Sequence, residues 1–289
     1  MHEMLTDMSS FVVTGCSTGI GEACARRLAE AGHRVFAGVR KEADAEAWRG
    51  KHAGVRPILL DVRDEAAVRR AAAMVSAEVG PAGLQGLVNN AGIAVAAPLE
   101  YLPIDDLRTQ LDVNVVGQLA VTQAFLPLLR QGRGRIVFIS SISGLVATPI
   151  TGAYAASKSA LEALADALRM ELSEWGLEVV VIEPGQIATP IWDTSVRAAE
   201  ERQTRMDPES ATRYGWISRA GRVRAGQGAK RGLDPSAVAR AVEKALLDAR
   251  PRTRYLVARE WLLVRMLAAL PDRWRDRMIL GQLRKMAGR

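Results

Sequence analysis

The sequence predicts an α/β protein built on a single doubly wound parallel sheet with helices on both faces. Short, almost entirely apolar runs alternate with longer amphipathic stretches along most of the chain, which is typical of strands that helices cover on both sides. The first apolar run leads directly into a glycine-rich turn and then into a helical stretch. The 289 residues, 48% hydrophobic and 25% charged, are sufficient for one α/β domain with a large core.

The apolar runs predict six strands, and the stretches between them predict four helices. The strands are expected at residues 11–14, 34–39, 55–60, 86–88, 135–139 and 178–182. The helices are expected near residues 21–31, 65–79, 104–129 and 154–175. Successive strand–helix–strand units give right-handed crossovers and hence a parallel sheet. A ligand of such a sheet binds beyond the carboxyl ends of its strands.

The pattern changes after Pro190. Residues 191–232 carry few apolar runs and several glycines, and we predict a mobile substrate lid there. Asp234-Pro235 favours the start of a helix that runs to about residue 249, and an edge strand is expected at 255–258. Residues 260–289 predict a helical C-terminal extension, interrupted near Pro271, that packs beside the lid. With no internal repeat and no second core, 1–289 is predicted to form one domain.

Composition excludes several classes of protein. Cys16 and Cys24 have no partners elsewhere in the sequence, which excludes a disulfide framework and predicts a cytoplasmic protein. No histidine lies in a Cys/His cluster, so we expect no metal site and no Ser-His-Asp triad; the histidines are His2, His33 and His52. Residues 1–10 contain two acidic residues and no apolar core, so no signal peptide is predicted.

Charge is unevenly distributed along the chain. Residues 1–212 contain 20 Lys/Arg and 26 Asp/Glu, whereas residues 213–289 contain 19 and 6, so the net charges are −6 and +13. The basic part is interpreted as a solvated surface, with a surface for anionic lipid or an acidic partner as the alternative. Nucleic-acid binding is not expected, because no recognised binding motif accompanies the charge.

The glycine-rich turn has the composition of a phosphate-binding loop. It reads Thr14-Gly15-Cys16-Ser17-Thr18-Gly19-Ile20-Gly21 at the first strand–helix junction. Glycines there allow a tight turn, close approach of a diphosphate to the backbone and close packing of helix on strand. The helix N-terminus adds free N–H groups and a positive dipole. A plain tight turn without a ligand is the alternative interpretation.

A second candidate site is a tyrosine–lysine pair. Tyr154 and Lys158 are four residues apart in a predicted helix, so they share one face. A nearby ammonium lowers the pKa of a tyrosine, and a tyrosine so tuned can exchange a proton with a substrate oxygen. An ordinary helix pair is the alternative.

Further motifs occur in register with these two. They are Asp61-Val62, Asn89-Asn90-Ala91-Gly92, Asn114, Ser141 and Pro184-Gly185. With the spacing Gly-x-x-x-Gly-x-Gly and Tyr-x-x-x-Lys, they make residues 9–192 resemble the short-chain dehydrogenase/reductase family. Residues 35–41 and 183–192 look most like its steroid- and retinol-dehydrogenase branch. The resemblance implies a Rossmann fold.

The resemblance also implies roles for individual residues. Tyr154 would be the general acid/base, Lys158 would lower its pKa and bind the nicotinamide ribose, and Ser141 would hydrogen-bond the reacting oxygen. Asn114 would hold a water in a proton relay. The other cofactor contacts would be Gly15, Ser17, Thr18 and Ile20 at the diphosphate, Asp61 and Val62 at the adenine, Asn90, Ala91 and Gly92 at the adenosine ribose and ring junction, and Gly185, Ile187 and Thr189 at the carboxamide. Substrate would meet Ser141, Val146, Tyr154, Ile191 and Trp192.

The end of the second predicted strand indicates which cofactor is bound. It reads Val39-Arg40-Lys41, where an acidic residue would bind the 2′-hydroxyl of NAD. Arg40 and Lys41 can instead pair with a 2′-phosphate. NADP(H) is therefore the preferred cofactor, with NAD(H) as the alternative. The other interpretation of Arg40 and Lys41 is that they are surface charges without a role in binding.

These observations predict an oxidoreductase that transfers hydride between NADP(H) and an apolar alcohol or carbonyl compound, such as a ketone or a steroid-, retinoid- or polyketide-like substrate. The alternatives are a non-catalytic NADP(H)-binding regulator or scaffold, and a family member that catalyses epimerisation or dehydration. We expect a homo-oligomer, a dimer or a tetramer. A membrane surface that contacts the basic C-terminal region peripherally is the alternative partner.

Overall fold

The centre of the molecule is a seven-stranded parallel sheet, seen in a computed structural model that describes residues 8–50, 52–203 and 208–288. The prediction about a signal peptide falls largely on residues 1–7, which lie outside the described residues, as do residues 204–207 of the predicted lid and residue 289. The strands are β1 (Ser10–Thr14), β2 (Arg34–Val39), β3 (Val55–Leu59), β4 (Gly86–Asn89), β5 (Arg135–Ile139), β6 (Glu178–Pro184) and β7 (Arg254–Val257).

Helices cover the sheet on both faces. They are α1 (Gly19–Glu30), α2 (Glu42–Trp48), α3 (Glu65–Val79), α4 (Ile104–Leu111), α5 (Gly117–Gly132), α6 (Gly152–Glu171), α7 (Ile191–Gln203), α8 (Pro208–Arg231), α9 (Pro235–Leu247), α10 (Trp261–Ala269) and α11 (Asp272–Met286). Buried side chains of α1, α2 and α9 pack on one face, and those of α3, α5 and α6 pack on the other. The predicted doubly wound fold is confirmed.

Alternation along each strand divides the core between the two faces. In β1, Val12 packs with the α3, α5 and α6 layer, whereas Phe11 and Val13 pack with the α1 and α9 layer. All three side chains are fully buried. A strand buried on both faces needs apolar residues at every position, which explains the nearly continuous apolar runs in the sequence.

The strand order places a crevice at one edge of the sheet. The order is β3-β2-β1-β4-β5-β6-β7. Strands β2 and β3 are therefore added on one side of β1 and strands β4 to β7 on the other, so the strand order reverses between β1 and β4. Loops that leave these two strands diverge to opposite faces and open a crevice at the carboxyl edge. Gly15 follows β1 and Asn90 follows β4, and both line the cavity described below.

Two helical regions differ from the sequence prediction. The single helix expected at 104–129 is α4 and α5 joined by a π-helical turn at Asp112–Val116. This stretch is long and apolar enough to span a membrane. Its fully buried Val121 and Phe125 belong to the sheet-facing core, which accounts for that character. The short helix α2 was not predicted.

The predicted lid and C-terminal extension contain four helices. The glycine- and arginine-rich part of the lid is helical, because α8 continues to Arg231. Its Gly228 is required for packing, since a Cβ there would lie 2.9 Å from the Trp192 ring. Helix α11 packs on α8 through Ala220, Leu283 and Ala287. Helix α10 differs, because Val264 is its one buried residue.

Candidate active site

A cavity of about 610 Å³ opens at the carboxyl edge of the sheet. It is bounded by the loops after β1, β4, β5 and β6 and by α7 and α8. Most of the predicted site residues meet in its wall. They are Gly15, Ser17, Thr18, Ile20, Arg40, Asp61, Val62, Asn90, Ala91, Gly92, Ser141, Tyr154, Lys158, Gly185, Ile187, Thr189, Ile191 and Trp192.

The glycine-rich turn is shaped by close backbone contacts. Gly15 has a φ of +70°, and a Cβ there would lie 2.9 Å from the Cα of Ala91. A Cβ on Gly21 would lie 2.3 Å from the carbonyl oxygen of Gly15, so the turn and α1 approach too closely for any side chain. Asn90 holds the turn, because its Nδ2 donates to the carbonyls of Thr14 at 2.8 Å and Gly15 at 3.1 Å.

The start of α1 is suited to an anionic group. Thr18 occupies the N-cap position, but its side chain makes no capping hydrogen bond. The first N–H groups of a helix have no partner within the helix, and the dipole makes this end positive. Thr18 and Gly19 line the cavity. The residues therefore fit a dinucleotide diphosphate at this turn, which is the position that the sequence predicts.

Arg40 supplies positive charge at the end of β2. It is exposed at the cavity wall, whereas Val39 before it is buried. The charge of Arg40 acts on the carboxylate of Asp61, which follows β3. Burial raises the pKa of Asp61, but the hydrogen bonds from Arg63 and the charges of Arg63 and Arg40 lower it by more, so the net pKa is below the ordinary value. Arg40 therefore adds a positive charge to the cavity wall at the carboxyl ends of β2 and β3.

Ser141 lies two residues beyond the end of β5. Its Oγ accepts a hydrogen bond from the backbone N–H of Ser143 at 3.1 Å, which caps the short 3-10 helix Ile142–Gly144. The same hydroxyl adjoins the phenol of Tyr154 and lowers its pKa. Ser141 is nearly buried and lines the cavity together with Tyr154.

Lys158 and Tyr154 occupy successive turns of α6. The Lys158 Nζ donates to the carbonyl of Ile139 at 2.7 Å and lies 5.8 Å from the centroid of the Tyr154 ring. Burial lowers the pKa of Lys158 to about 8, opposed by the charge of Glu162. Burial raises the pKa of Tyr154, opposed by the neighbouring Ser141 hydroxyl. The net shift at Tyr154 is opposite to the one that the tyrosine–lysine spacing predicts, because desolvation dominates.

Three helix amides hold the loop that forms the cavity floor. Asn114, within the π-helical turn, accepts at Oδ1 from the Ile93 N–H at 2.9 Å and donates from Nδ2 to the Ile93 carbonyl at 3.0 Å. Gln110 donates to the same carbonyl at 2.8 Å and accepts from the Val95 N–H at 2.7 Å. Gln118 donates to the carbonyl of Ala91 at 2.7 Å.

Comparison with known proteins identifies the family. The profile described as short chain dehydrogenase matches residues 10–200, which is most of the chain. The chain belongs to the short-chain dehydrogenase/reductase family. This family comprises Rossmann-fold oxidoreductases, and the resemblance predicted from the sequence is confirmed.

Individual relatives of this short-chain dehydrogenase cover nearly its full length. It is 36% identical over 282 residues to an NADPH-dependent 3-dehydrocapnine reductase of Ornithobacterium rhinotracheale, covering 95% of this chain and 97% of the relative. It is 39% identical over 249 residues to retinol dehydrogenase 16 of Homo sapiens, covering 84% and 78%. A solved short-chain dehydrogenase/reductase of Burkholderia phymatum in complex with NAD superposes with a TM-score of 0.76 at 25% identity, covering 92% and 94%.

Three predicted site residues of this short-chain dehydrogenase do not line the cavity. Lys41 is exposed and precedes α2, where its carbonyl accepts from the N–H groups of Asp44 and Ala45. Val146 closes the turn after Ser141, where its N–H donates to the Ile142 carbonyl. Asn114 is fully buried beneath the cavity. Among the described residues, no group of three or more His, Cys, Asp or Glu side chains is placed to hold a metal ion.

Trp192 is fixed in the cavity wall between α7 and α8. Its Nε1 donates to the Ile187 carbonyl at 2.6 Å, and Gly228 of α8 allows the helix to pack against the indole ring. The indole therefore connects the loop after β6, α7 and α8. A bulky residue at position 228 would displace it.

Several residues at the site were missed by sequence reasoning. Gln110 and Gln118 lie four residues to either side of Asn114, and three amides on one face of an apolar helix are a signal that could have identified them. Trp48 of the unpredicted α2 donates from Nε1 to the Cys16 carbonyl at 3.0 Å and so braces the glycine-rich turn. Thr148, Ile150 and Arg224 also line the cavity, and no sequence pattern marked them.

Proposed function

We propose that this short-chain dehydrogenase interconverts an apolar ketone or aldehyde with the corresponding alcohol, using NADP(H), with Tyr154 as the proton donor and acceptor. The observation that carries the proposal is the meeting of Ser141, Tyr154 and Lys158 in one cavity with the glycine-rich turn. The lining of that cavity extends from the glycine-rich turn to the lid helices α7 and α8.

Ser141, Tyr154 and Lys158 have different roles in proton transfer. In the direction of reduction, the hydroxyl of Ser141 hydrogen-bonds the substrate oxygen and orients it. Tyr154 donates its phenolic proton to that oxygen, and in oxidation the phenolate takes a proton from the alcohol. Bound NADP(H) supplies or accepts the hydride. Because burial raises the pKa of Tyr154, the phenol stays protonated near neutral pH, which suits reduction.

Lys158 acts on Tyr154 through charge and through position. Its ammonium, held at 5.8 Å from the tyrosine ring, favours the phenolate that forms when the proton leaves. The hydrogen bond to Ile139 fixes that ammonium relative to the end of β5. Asn114 contributes by holding Ile93, and with it the loop at the cavity floor, rather than through contact with substrate.

The substrate end of the cavity supports an apolar substrate. Its wall combines Pro149 and Ile150 after β5 with Ile191, Trp192 and Ile217 of the two lid helices. Leu283 of α11 also reaches the wall. We therefore propose that residues 191–232 form the substrate lid and that the extension lengthens the pocket, within one domain.

NADP(H) is the proposed cofactor because of Arg40. The guanidinium lies at the cavity wall where a 2′-phosphate would stand, and no acidic side chain occupies the end of β2. The relative named as NADPH-dependent supports this choice, whereas the solved relative with NAD keeps NAD(H) as the alternative.

Consumption of NADPH against ketones, aldehydes and quinones of graded size tests the proposal. We expect turnover that rises with the apolar surface of the substrate and that NADH supports less well. Tight NADPH binding with no turnover across the whole panel would contradict the proposal and would favour a non-catalytic regulator.

The exposed apolar face of α10 supports a second property, association with an anionic membrane surface. Trp261 is 47% and Leu262 65% exposed, and Leu263 and Met266 lie beside them on the same short helix. Exposed arginines occur close to this helix in the sequence, at positions 259, 265, 273 and 277. Trp and Leu beside Arg favour an anionic lipid surface, and like charge opposes self-association of this region.

Cosedimentation with vesicles tests this second property. We expect binding to vesicles that contain phosphatidylserine, weaker binding to phosphatidylcholine alone, and loss of binding in Leu262→Glu. The control Met170→Glu changes an equally exposed apolar residue on α6 and is expected to bind normally. Equal binding of all three proteins, or an oligomer that Leu262→Glu dissociates, would contradict it.

A further inference from the structure

Arg224 is an arginine of the cavity wall whose one side-chain partner among the described residues is a neutral hydroxyl. It lies on α8, and its Nη1 donates to the Thr148 Oγ1 at 3.0 Å. No carboxylate of residues 8–50, 52–203 or 208–288 pairs with it, and burial alone lowers its pKa. By contrast Arg202, in the wall of the same cavity, is paired with Asp106.

A half-buried guanidinium with one neutral partner is costly. Removing a charge from water is unfavourable unless the charge is paired and hydrogen-bonded, and guanidinium carries five N–H donors. A single hydroxyl satisfies one of them and brings no negative charge. Because Arg224 lines an open cavity, the missing acceptor can arrive with a ligand.

The position of Arg224 is fixed relative to Tyr154. Thr148 is hydrogen-bonded through its Oγ1 to the Oγ1 of Thr151 at 2.9 Å. Thr151 is the residue before α6, whose first turn carries Tyr154. Gly221 lies one turn before Arg224, and a Cβ built on it would be 3.8 Å from Cγ2 of Ile150. The arginine therefore adjoins the turn that leads into the proton-donating helix.

We propose that Arg224 binds a carboxylate or another oxyanion of the substrate, so that the substrate is an apolar carbonyl compound with an anionic end. This inference rests on the proposed function and adds a charged group to the substrate class. The diphosphate of the cofactor is another source of the same oxyanion chemistry, but α1 and Arg40 already provide a positive site for the dinucleotide.

A matched pair of substrates tests the inference. The kcat/KM for reduction of long-chain keto acids is compared with that for their methyl esters in the wild type, Arg224→Met, Arg224→Lys and the control Arg219→Met. Arg219 is an exposed arginine on the same helix that does not line the cavity. The dissociation constant of NADPH is measured for each protein.

We expect the wild type and Arg219→Met to prefer the acid. Arg224→Met should lose that preference by roughly 10- to 100-fold, the range that a charge-assisted hydrogen bond of about 1.5–3 kcal/mol gives at about 1.4 kcal/mol per decade. Arg224→Lys should recover part of it, since it keeps the charge without the planar fork. The affinity for NADPH should change little.

Three results would overturn the inference. They are no preference for the acid in the wild type, equal loss of acid and ester turnover in Arg224→Met, and weaker NADPH binding with an unchanged acid-to-ester ratio, which would assign Arg224 to the cofactor. If the wild type reduces neither these compounds nor any member of the carbonyl panel, the proposed function fails. Calorimetric titration of acid and ester into the NADPH complex then decides whether the anion still requires Arg224.

Discussion

Lys158 and Ile139 are joined by a hydrogen bond of 2.7 Å from the lysine Nζ to the isoleucine carbonyl. This bond connects α6 to the last residue of β5, two residues before Ser141. The lysine that adjoins the tyrosine and the serine that would orient substrate therefore have one common anchor. The relation between them depends on the sheet and not on the loop 142–151 that separates them in sequence.

The charge of Lys158 predicts a pH dependence. Its pKa is lowered to about 8 by burial, so the ammonium is present below that value and is lost above it. We expect kcat/KM for reduction to fall as the pH rises through about 8, with no corresponding decrease from Tyr154, whose pKa is raised. A pH–rate profile of the wild type and Lys158→Met checks this, and the same decrease in both proteins would contradict it.

Arg40 predicts the cofactor preference. Val39→Asp with Arg40→Leu replaces a cation by an acid that can bind a 2′-hydroxyl. The ratio of kcat/KM for NADPH and NADH should then shift toward NADH by roughly 10- to 100-fold, since a charge-assisted contact contributes about 1.5–3 kcal/mol. Lys41→Leu is the control, because Lys41 lies outside the cavity. A wild type that already prefers NADH would refute the assignment.

Gln110 predicts a coupled loss of stability and of substrate affinity. Gln110→Leu leaves the buried N–H of Val95 without its acceptor, which costs about 1–3 kcal/mol, and loosens the loop at the cavity floor. Denaturant unfolding and KM are measured beside Gln123→Leu, which changes an exposed amide on α5. The idea fails if the two variants are equally stable and have the same KM.

Glu183 predicts how stability changes with pH. Burial, reinforced by the charge of Glu162, raises its pKa from 4.5 to about 7 despite the opposing charge of Arg254. Between these two values the native state binds more protons than the unfolded state, so the free energy of unfolding decreases as the pH rises. The loss is on the order of 3 kcal/mol across the window, at about 1.36 kcal/mol per pH unit.

Glu183→Gln should remove that decrease and should be more stable than the wild type at pH values above 7. Unfolding by denaturant at a series of pH values from 4.5 to 8 measures it, with the exposed Glu174→Gln as the control. A wild type whose stability rises with pH over this range, in parallel with Glu183→Gln, would show that Glu183 ionises normally.

The sequence predicts best those elements whose residues are dictated by burial. The β2 and β5 bounds and α3 agree with prediction residue for residue, because strands buried on both faces and an amphipathic helix leave a clear pattern. Helix α2 was missed because only Ala45 and Trp48 of its seven residues are buried. The π-helical turn leaves no trace in periodicity, since it lies within a continuous apolar stretch.

The candidate site likewise contains residues that the sequence predicts and residues that it does not. The glycine turn and the pair Tyr154 and Lys158 were recognisable because their spacing is set by local chemistry along one strand end or one helix, whereas Ser141 was identified through the family resemblance. Arg224 and Thr148 are 76 residues apart, and their contact depends on how α8 folds over the loop after β5. No local pattern specifies such a contact, which is why the substrate end of the cavity was the least predictable part.

Transfer of deuterium from NADPH that carries deuterium at both C4 positions to a carbonyl substrate, followed by mass spectrometry of the alcohol, tests the proposed hydride and proton transfer most directly. The wild type should place deuterium on the carbinol carbon. Tyr154→Phe should do so roughly 10²–10⁴-fold more slowly, because the proton donor is lost while the ring remains, and it should bind NADPH with similar affinity. Unlabelled product from the wild type, or near-normal transfer by Tyr154→Phe, would contradict the account.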